Sequence, residues 1–216
     1  SSPIYRGINP VNSVTEAIAR LGLKTTRGLV MSLAMEQVFQ CQVGALRQRM
    51  LRLWQHGIGV AAHAHALARR LPNLAPERAQ FAGLIHNIGA VPIIAYAQEL
   101  ERLHNPRQLD QAIQRLAPFV GVMVLTEWAL DSDLVAVVEH CNDWYRDTGR
   151  AADYCDVVIT AQLHVRQGED GLPAPAEVPS CRKLALGDID EHSRLTAINE
   201  AESEIRTLQA LLSGQA

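Results

Sequence analysis

Apolar residues recur along this chain at helical spacing, three or four positions apart, in one segment after another. The strict alternation of apolar and polar positions that is typical of a half-buried strand does not occur in the sequence. The pattern therefore predicts an all-α protein with roughly eight or nine helices. These helices are expected at residues 14–21, 26–40, 45–70, 76–88, 92–103, 106–128, 132–141, 153–168 and 191–212.

Proline and glycine set several of the expected boundaries. Pro76 suits the first position of a helix, because its missing amide would have no partner there in any case. Pro92 is expected to open the next short helix after a break at Gly89. Pro118 and Gly121 predict a disturbance within the long helix at residues 106–128.

The helix expected at residues 76–88 is apolar nearly all round, which predicts a central position in the fold. Two adjacent polar residues, His86 and Asn87, interrupt its apolar sequence. Burying such groups costs free energy unless they find partners. Two interpretations are open, a pair of metal ligands or a pair of hydrogen-bonded core residues. Trp54 and Trp128 are expected to anchor the core.

Composition changes after residue 168. Residues 169–187 contain several prolines and glycines, show little periodicity and are predicted to form a loop. Residues 188–216 are predicted to contain a final helix with an apolar stripe. Such a stripe either packs back on the helical core or forms a partner or dimer surface. The helical core is accordingly expected at residues 1–168.

Charge and cysteine content narrow the function classes. Among 216 residues the formal net charge is −3, and no basic stripe is present, so direct nucleic-acid binding is not expected. The four cysteines form no CxxC motif, which together with the lack of a signal peptide indicates a reducing cytoplasm. No apolar run is long enough to predict a membrane span. Motifs for a nucleophilic serine, a P-loop or a dinucleotide site are absent from the sequence.

Unusual polar residues lie on otherwise apolar helices, each on a different helix, which is how helical proteins build interior sites. They are His56, His86 with Asn87, His140 beside Cys141, and Gln162.

These residues belong to segments that resemble a known family. Residues 54–61 (WQHGIGVA) and 82–89 (AGLIHNIG) are similar to the HDOD family, output domains related to HD phosphohydrolases. Residues 2–5, 17–22 and 138–141, and Gly121 with Trp128, fit the same pattern. The resemblance covers about residues 1–168 and implies a multi-helix bundle of the HD-domain type. In that family a further helical subdomain usually precedes the position of Ser1, so this chain is expected to lack it.

The resemblance also implies a set of former metal-ligand positions. In catalytic HD relatives the ligands are a histidine, an adjacent His-Asp pair and a later aspartate. His56 and His86 match the histidines, but Asn87 and Gln162 occupy the two aspartate positions. In two-metal relatives further histidines fall at Leu116 and at the pair that here is His140 and Cys141.

Two lost carboxylates change the expected chemistry. Hard divalent cations favour carboxylate oxygen, and neutral amides do not offset the cost of removing the cation from water. No cofactor is therefore expected, and His56, His86 and His140 are only weak metal candidates. Without a metal to lower the pKa of a bound water, hydrolysis has little support.

The resemblance implies two functions. The first is a non-catalytic output module of signal transduction, a pseudoenzyme that binds signalling proteins in the bacterial cytoplasm and serves as the output part of a response regulator. Its partners are unknown, and a homodimer is a further expectation. The alternative is a divergent metal-dependent phosphohydrolase or phosphodiesterase that uses His56, His86 and His140.

Overall fold

The computed structural model describes residues 44–97, 105–184 and 201–213, together with residues 19, 22, 26, 30, 33–35, 37–39 and 198. Every regular element within those residues is helical, which confirms the predicted all-α class. Most of the predicted helices 14–21 and 26–40 lie outside the described residues. The described helices are α1 (Gly44–Ala68), α2 (Pro76–Ile85), α3 (Ala90–Ala97), α4 (Pro106–Glu127), α5 (Ser132–His140), α6 (Tyr154–Val165), α7 (Pro179–Leu184) and α8 (Glu202–Leu212), and a 3-10 turn spans Pro175–Glu177.

The middle of α1 packs closely against α2. Ala61, Ala62 and Ala64 are completely buried there, and their small side chains let the second helix approach. A Cβ atom built on Gly83 of α2 would lie 2.7 Å from the Cα atom of Ala61. Real Cβ atoms do not come so close to a backbone atom, so the contact requires glycine at this position.

The central apolar helix ends three residues earlier than the sequence predicts, at residue 85 instead of residue 88. Helix α2 ends at Ile85, residues 86–89 form a turn, and α3 begins at Ala90. Gly89 at the end of the turn lies against the backbone of α4 at Gly121. The turn is thus formed where this segment meets α4, a tertiary contact that local periodicity does not encode.

The stretch Pro76–Ala97, which comprises α2, the turn and α3, is long and apolar enough by composition to cross a membrane. Within its most apolar 18-residue window, 67% of the residues are buried inside the protein. The core helices of a protein pass the same test as a membrane span, and the burial of this stretch accounts for its apolar composition.

Helix α4 is continuous, whereas the sequence predicts a disturbance at Pro118 and Gly121. The following Trp128 caps the helix and is 42% exposed, so the prediction that it anchors the core is wrong. Trp54 does lie in the core, only 6% exposed, with its ring 5.2 Å from that of Phe39.

The segment predicted as a loop at residues 169–187 contains ordered helical structure in its described part. The 3-10 turn is followed by α7, where Ser180 is fully buried and donates a hydrogen bond of 2.8 Å to Asp156. Asp156 is itself fully buried in α6, and Arg146 and Lys183 lie 3.5 and 3.7 Å from its carboxylate. Ser180 and Lys183 of this segment thus supply partners to the buried carboxylate of Asp156, which would be costly to leave unpaired.

The C-terminal residues 201–213 pack on α1. Ile205 is buried, and Glu204 forms an ion pair of 2.7 Å with Arg69 and lies 3.5 Å from His65. The burial places one side of the apolar stripe of α8 against the helical core. The rest of the predicted helix 191–212 lies outside the described residues, apart from Ile198.

Arg78 of α2 holds α5 in place through two carboxylates. Its guanidinium donates two hydrogen bonds to Asp133, of 2.8 and 2.6 Å, and one to Asp131. The hydrogen bonds from Arg78 hold the pKa of Asp133 below its usual value. Arg78→Met is expected to lower the free energy of unfolding by about 1 kcal/mol at pH 7, because these partly exposed ion pairs are screened by solvent.

The effect of Arg78→Met depends on pH. A lowered carboxyl pKa stabilises the folded state above the unfolded pKa, and this contribution is lost as the pH falls through the folded value. Urea unfolding should therefore separate the variant from the wild type at pH 7 and bring the two together in acid. Arg115→Met, an exposed change on α4, is the control. A gap that persists unchanged below the pKa of Asp133 would contradict the role given to this carboxylate.

Candidate functional site

A cleft of about 730 Å³ opens where α1, the turn after α2, α3, α4, the end of α5 and α6 converge. This is within the roughly 300–1,000 Å³ typical of small-molecule sites. Its walls carry charged, amide, imidazole and apolar side chains: Arg49, Arg52, Leu53, His56, Asn87, Ile94, Asp110, Ile113, Asn142, Gln162, Arg166 and Glu169.

His86 lies buried behind the cleft, 2% exposed, in the turn after α2. Its Nδ1 atom is 2.6 Å from the carbonyl oxygen of Gly83, which fits an Nδ1–H donor. Burial, reinforced by the positive charge that His56 would carry, lowers the pKa of His86 to about 3. The ring is therefore neutral at physiological pH, and its Nε2 lone pair has no hydrogen-bond partner among the described residues.

His56 of α1 lies beside His86, with ring centroids 5.2 Å apart in an edge-to-face arrangement. Burial lowers the pKa of His56 below its usual 6.5, and the nearby charge of Arg166 lowers it further. A hydrogen bond with the side chain of Gln162 opposes this shift. Both imidazoles are thus mostly uncharged at neutral pH, so they do not repel each other.

Gln162 of α6 is held by a hydrogen bond from its amide nitrogen. It is 2% exposed, and its Nε2 donates a hydrogen bond of 2.7 Å to the carbonyl oxygen of Cys141. The thiol of Cys141 lies 3.6 Å from the carbonyl oxygen of His86, and burial raises the pKa of Cys141 to about 12. The structure therefore brings together His56, His86, Asn87, Cys141 and Gln162 around the inner end of the cleft.

His140 and Leu116 do not join this group. The side chain of His140 is 43% exposed and lies 3.7 Å from the carboxylate of Glu139. Leu116 is 50% exposed on α4. Neither lines the cleft, and Asn142 does so in their place, two residues after His140.

The residues present do not fit the divalent metal centre that the HD-type fold implies. The donors at the two positions that the family resemblance assigns to carboxylates, Asn87 and Gln162, are amides. The amide nitrogen of Gln162 already donates a hydrogen bond to the carbonyl oxygen of Cys141. No group of three or more His, Cys, Asp or Glu suited to a metal occurs within residues 44–97, 105–184 and 201–213 or the other described positions. The two carboxylates that line the cleft, Asp110 and Glu169, are instead paired with arginines.

Arginines form the rim of the cleft, and no motif in the sequence marks them as site residues. Arg49 pairs with Asp110, and Arg166 pairs with Glu169 at 2.9 Å. Arg52 pairs with no residue in the described part of the chain. One sequence signal was available, because positions 49, 52 and 56 are three and four residues apart and therefore share a face of α1.

Solved structures share this fold. A candidate metal-dependent phosphohydrolase from Shewanella amazonensis SB2B gives a TM-score of 0.77 at 23% identity, covering 96% of this chain and 76% of that one. An HDOD domain protein of unknown function from Geobacter sulfurreducens gives a TM-score of 0.69 at 22% identity, and the match covers 98% of this chain and 78% of that one. A candidate signal transduction protein from Marinobacter aquaeolei VT8 gives a TM-score of 0.65 at 17% identity, and the match covers 98% of this chain and 50% of that one. At these identities the likeness shows the fold alone.

A search of curated proteins finds no match to the chain. The family model described as "HDOD domain" matches residues 1–144, which include α1 to α5 and both His56 and His86. With this match over most of its length, the chain belongs to the HDOD family.

Proposed function

We propose that this chain is a non-catalytic output module of signal transduction that acts by binding partner proteins. The observation that carries the proposal is the state of Gln162, a neutral amide that donates its hydrogen bond to Cys141 where a hydrolytic relative would need an anionic ligand. A site built from two neutral imidazoles and two amides gives a divalent cation too little charge to activate water.

Exposed apolar side chains on α4 support a role in binding. Phe119 and Met123 are 71% and 70% exposed, and they are four residues apart on one face of the helix. Large exposed apolar groups that cluster in this way are typical of protein interaction sites. Within the proposal, the module works in the bacterial cytoplasm as the output part of a response regulator, and its partner is a signalling protein or a second copy of the chain.

A divergent metal-dependent phosphohydrolase is the alternative. The observation that favours it is the pair His56 and His86, with an unpartnered Nε2 atom on His86 among the described residues. Two imidazoles are suitable ligands for zinc or nickel. They leave the metal without the carboxylates that hydrolytic centres of this type use, so the first proposal is better supported.

Metal content and hydrolysis separate the two functions. Protein purified without chelator should contain far less than one metal ion per chain, because the site lacks anionic ligands. With Mn²⁺ added, it should cleave bis(p-nitrophenyl) phosphate no faster than the His56→Gln variant, whose fold is checked by circular dichroism. One tightly bound metal per chain, with hydrolysis that His56→Gln abolishes, would overturn the non-catalytic proposal.

A further inference from the structure

The geometry points to a binding site for an organic phosphate of nucleotide size in the cleft, held directly by Arg52 and Arg166 rather than through a metal. This inference rests on the proposed function, because it requires a cleft without a hydrolytic metal centre. It adds a ligand class to a site for which the family match supplies none.

The charges that line the cleft favour an anion. Three guanidinium groups, from Arg49, Arg52 and Arg166, face two carboxylates, from Asp110 and Glu169, which leaves one positive charge uncompensated. The chain as a whole carries a formal charge of −3, so this local excess is opposite in sign to the rest of the molecule. A charge of one sign in a concave site attracts ligands of the opposite sign.

The two arginines that would contact the anion differ in how they are held. Arg166 is positioned by its ion pair with Glu169 and by the ring of Trp144, 5.7 Å from its guanidinium carbon. Arg52 projects from α1 without a partner in the described part of the chain. A phosphate group suits this arrangement, because the planar guanidinium donates two parallel hydrogen bonds to its oxygens.

The rest of the cleft is suited to the uncharged part of such a ligand. Asn87, Asn142 and the neutral ring of His56 offer hydrogen-bond donors and acceptors. Leu53 and Ile113, which line the cleft and are partly exposed, supply apolar surface against which a planar ring can pack. A simple inorganic anion would use the arginines and leave most of the 730 Å³ unused. The site therefore favours a phosphate ester with a heterocyclic or otherwise apolar group.

Calorimetric titration with adenosine monophosphate in the presence of EDTA tests the site. The wild type should bind it, whereas adenosine, which lacks the phosphate, should bind at least about tenfold more weakly, because charged hydrogen bonds contribute about 1.5–3 kcal/mol. Arg52→Gln and Arg166→Gln should each raise the Kd for adenosine monophosphate about tenfold. Arg47→Gln on the same helix lies outside the cleft and should leave the Kd unchanged.

The outcomes separate this inference from the proposed function. Equal binding of adenosine and adenosine monophosphate, or a Kd that neither arginine change alters, would overturn the inference. No binding in EDTA, with no metal-dependent hydrolysis either, would overturn it and leave the non-catalytic function standing. Binding that appears only with added Mn²⁺ and leads to hydrolysis of a phosphate ester would overturn both.

Discussion

Replacing Gly89 by alanine is expected to lower the free energy of unfolding by about 3 kcal/mol, at the upper end of the usual cost of overpacking. A Cβ atom built on Gly89 would overlap the carbonyl oxygen of Ala117 and lie 2.6 Å from the amide nitrogen of Gly121. Both neighbours are backbone atoms of α4, so no side chain can rotate away to make room. Either α4 or the turn after α2 must move, and the turn carries Asn87, which lines the cleft, and His86, which lies behind it.

Urea unfolding followed by circular dichroism measures this effect, and Gly44→Ala is the matched control. Gly44 begins α1 with no atom within 4 Å of the position that its Cβ would take. Alanine is favoured over glycine in helices, so this control should leave the stability unchanged or raise it by up to about 1 kcal/mol. If Gly89→Ala unfolded at the same urea concentration as the wild type, the close approach of the turn to α4 would be wrong.

Local signals in the sequence predict a helix boundary correctly where the residues at that end of the helix determine it. The helix predicted from residue 153 begins at Tyr154 behind Asp153, whose side chain accepts a hydrogen bond from the amide of Asp156. Pro76 likewise occupies the first turn of α2. Capping groups and proline act within a single turn of the chain, and both can be identified without knowledge of the fold.

Boundaries set by tertiary contacts could not be predicted in this way. The turn at residues 86–89 has an apolar sequence that also suits a helix, and its position depends on the contact between Gly89 and α4. The proline-rich sequence from residue 169 to α7 contains little periodicity, yet Ser180 of α7 is fully buried and donates a hydrogen bond to Asp156. In both cases the determining atoms are distant in sequence, and periodicity reports only near neighbours.

In the candidate site, too, some residues could be predicted from the sequence and others could not. His56, His86, Asn87, Cys141 and Gln162 could be grouped because the family resemblance supplied their correspondence, and the structure brings them together. His140 fell in the same motif but is 43% exposed, because a helix turns its adjacent residues Glu139, His140 and Cys141 to different sides. The rim arginines carry no such motif, and a charged residue in a sequence usually indicates only a solvated surface.

Introducing two carboxylates, with Asn87→Asp and Gln162→Asp together, is expected to lower the free energy of unfolding by about 3 kcal/mol in EDTA. The change removes the donor to the Cys141 carbonyl, which costs about 1–3 kcal/mol, and places a carboxylate where Gln162 is only 2% exposed. Burial would raise the pKa of that carboxyl, so a fraction of the molecules would carry it in the protonated, neutral form.

Mn²⁺ should reverse that loss in the double variant and have little effect on the wild type, because only the variant would offer two carboxylates beside His56 and His86. At a free concentration one hundred times the Kd, the bound ion would add about 2.7 kcal/mol of stability. Thermal unfolding with and without Mn²⁺ measures this difference. Asn142→Asp is the control, since it adds a carboxylate to the cleft lining at a residue that the family resemblance does not assign to a metal ligand. If the double variant and Asn142→Asp gained equally little from Mn²⁺, Gln162 would not occupy a former ligand position, and its hydrogen bond to Cys141 would be a feature of core packing alone.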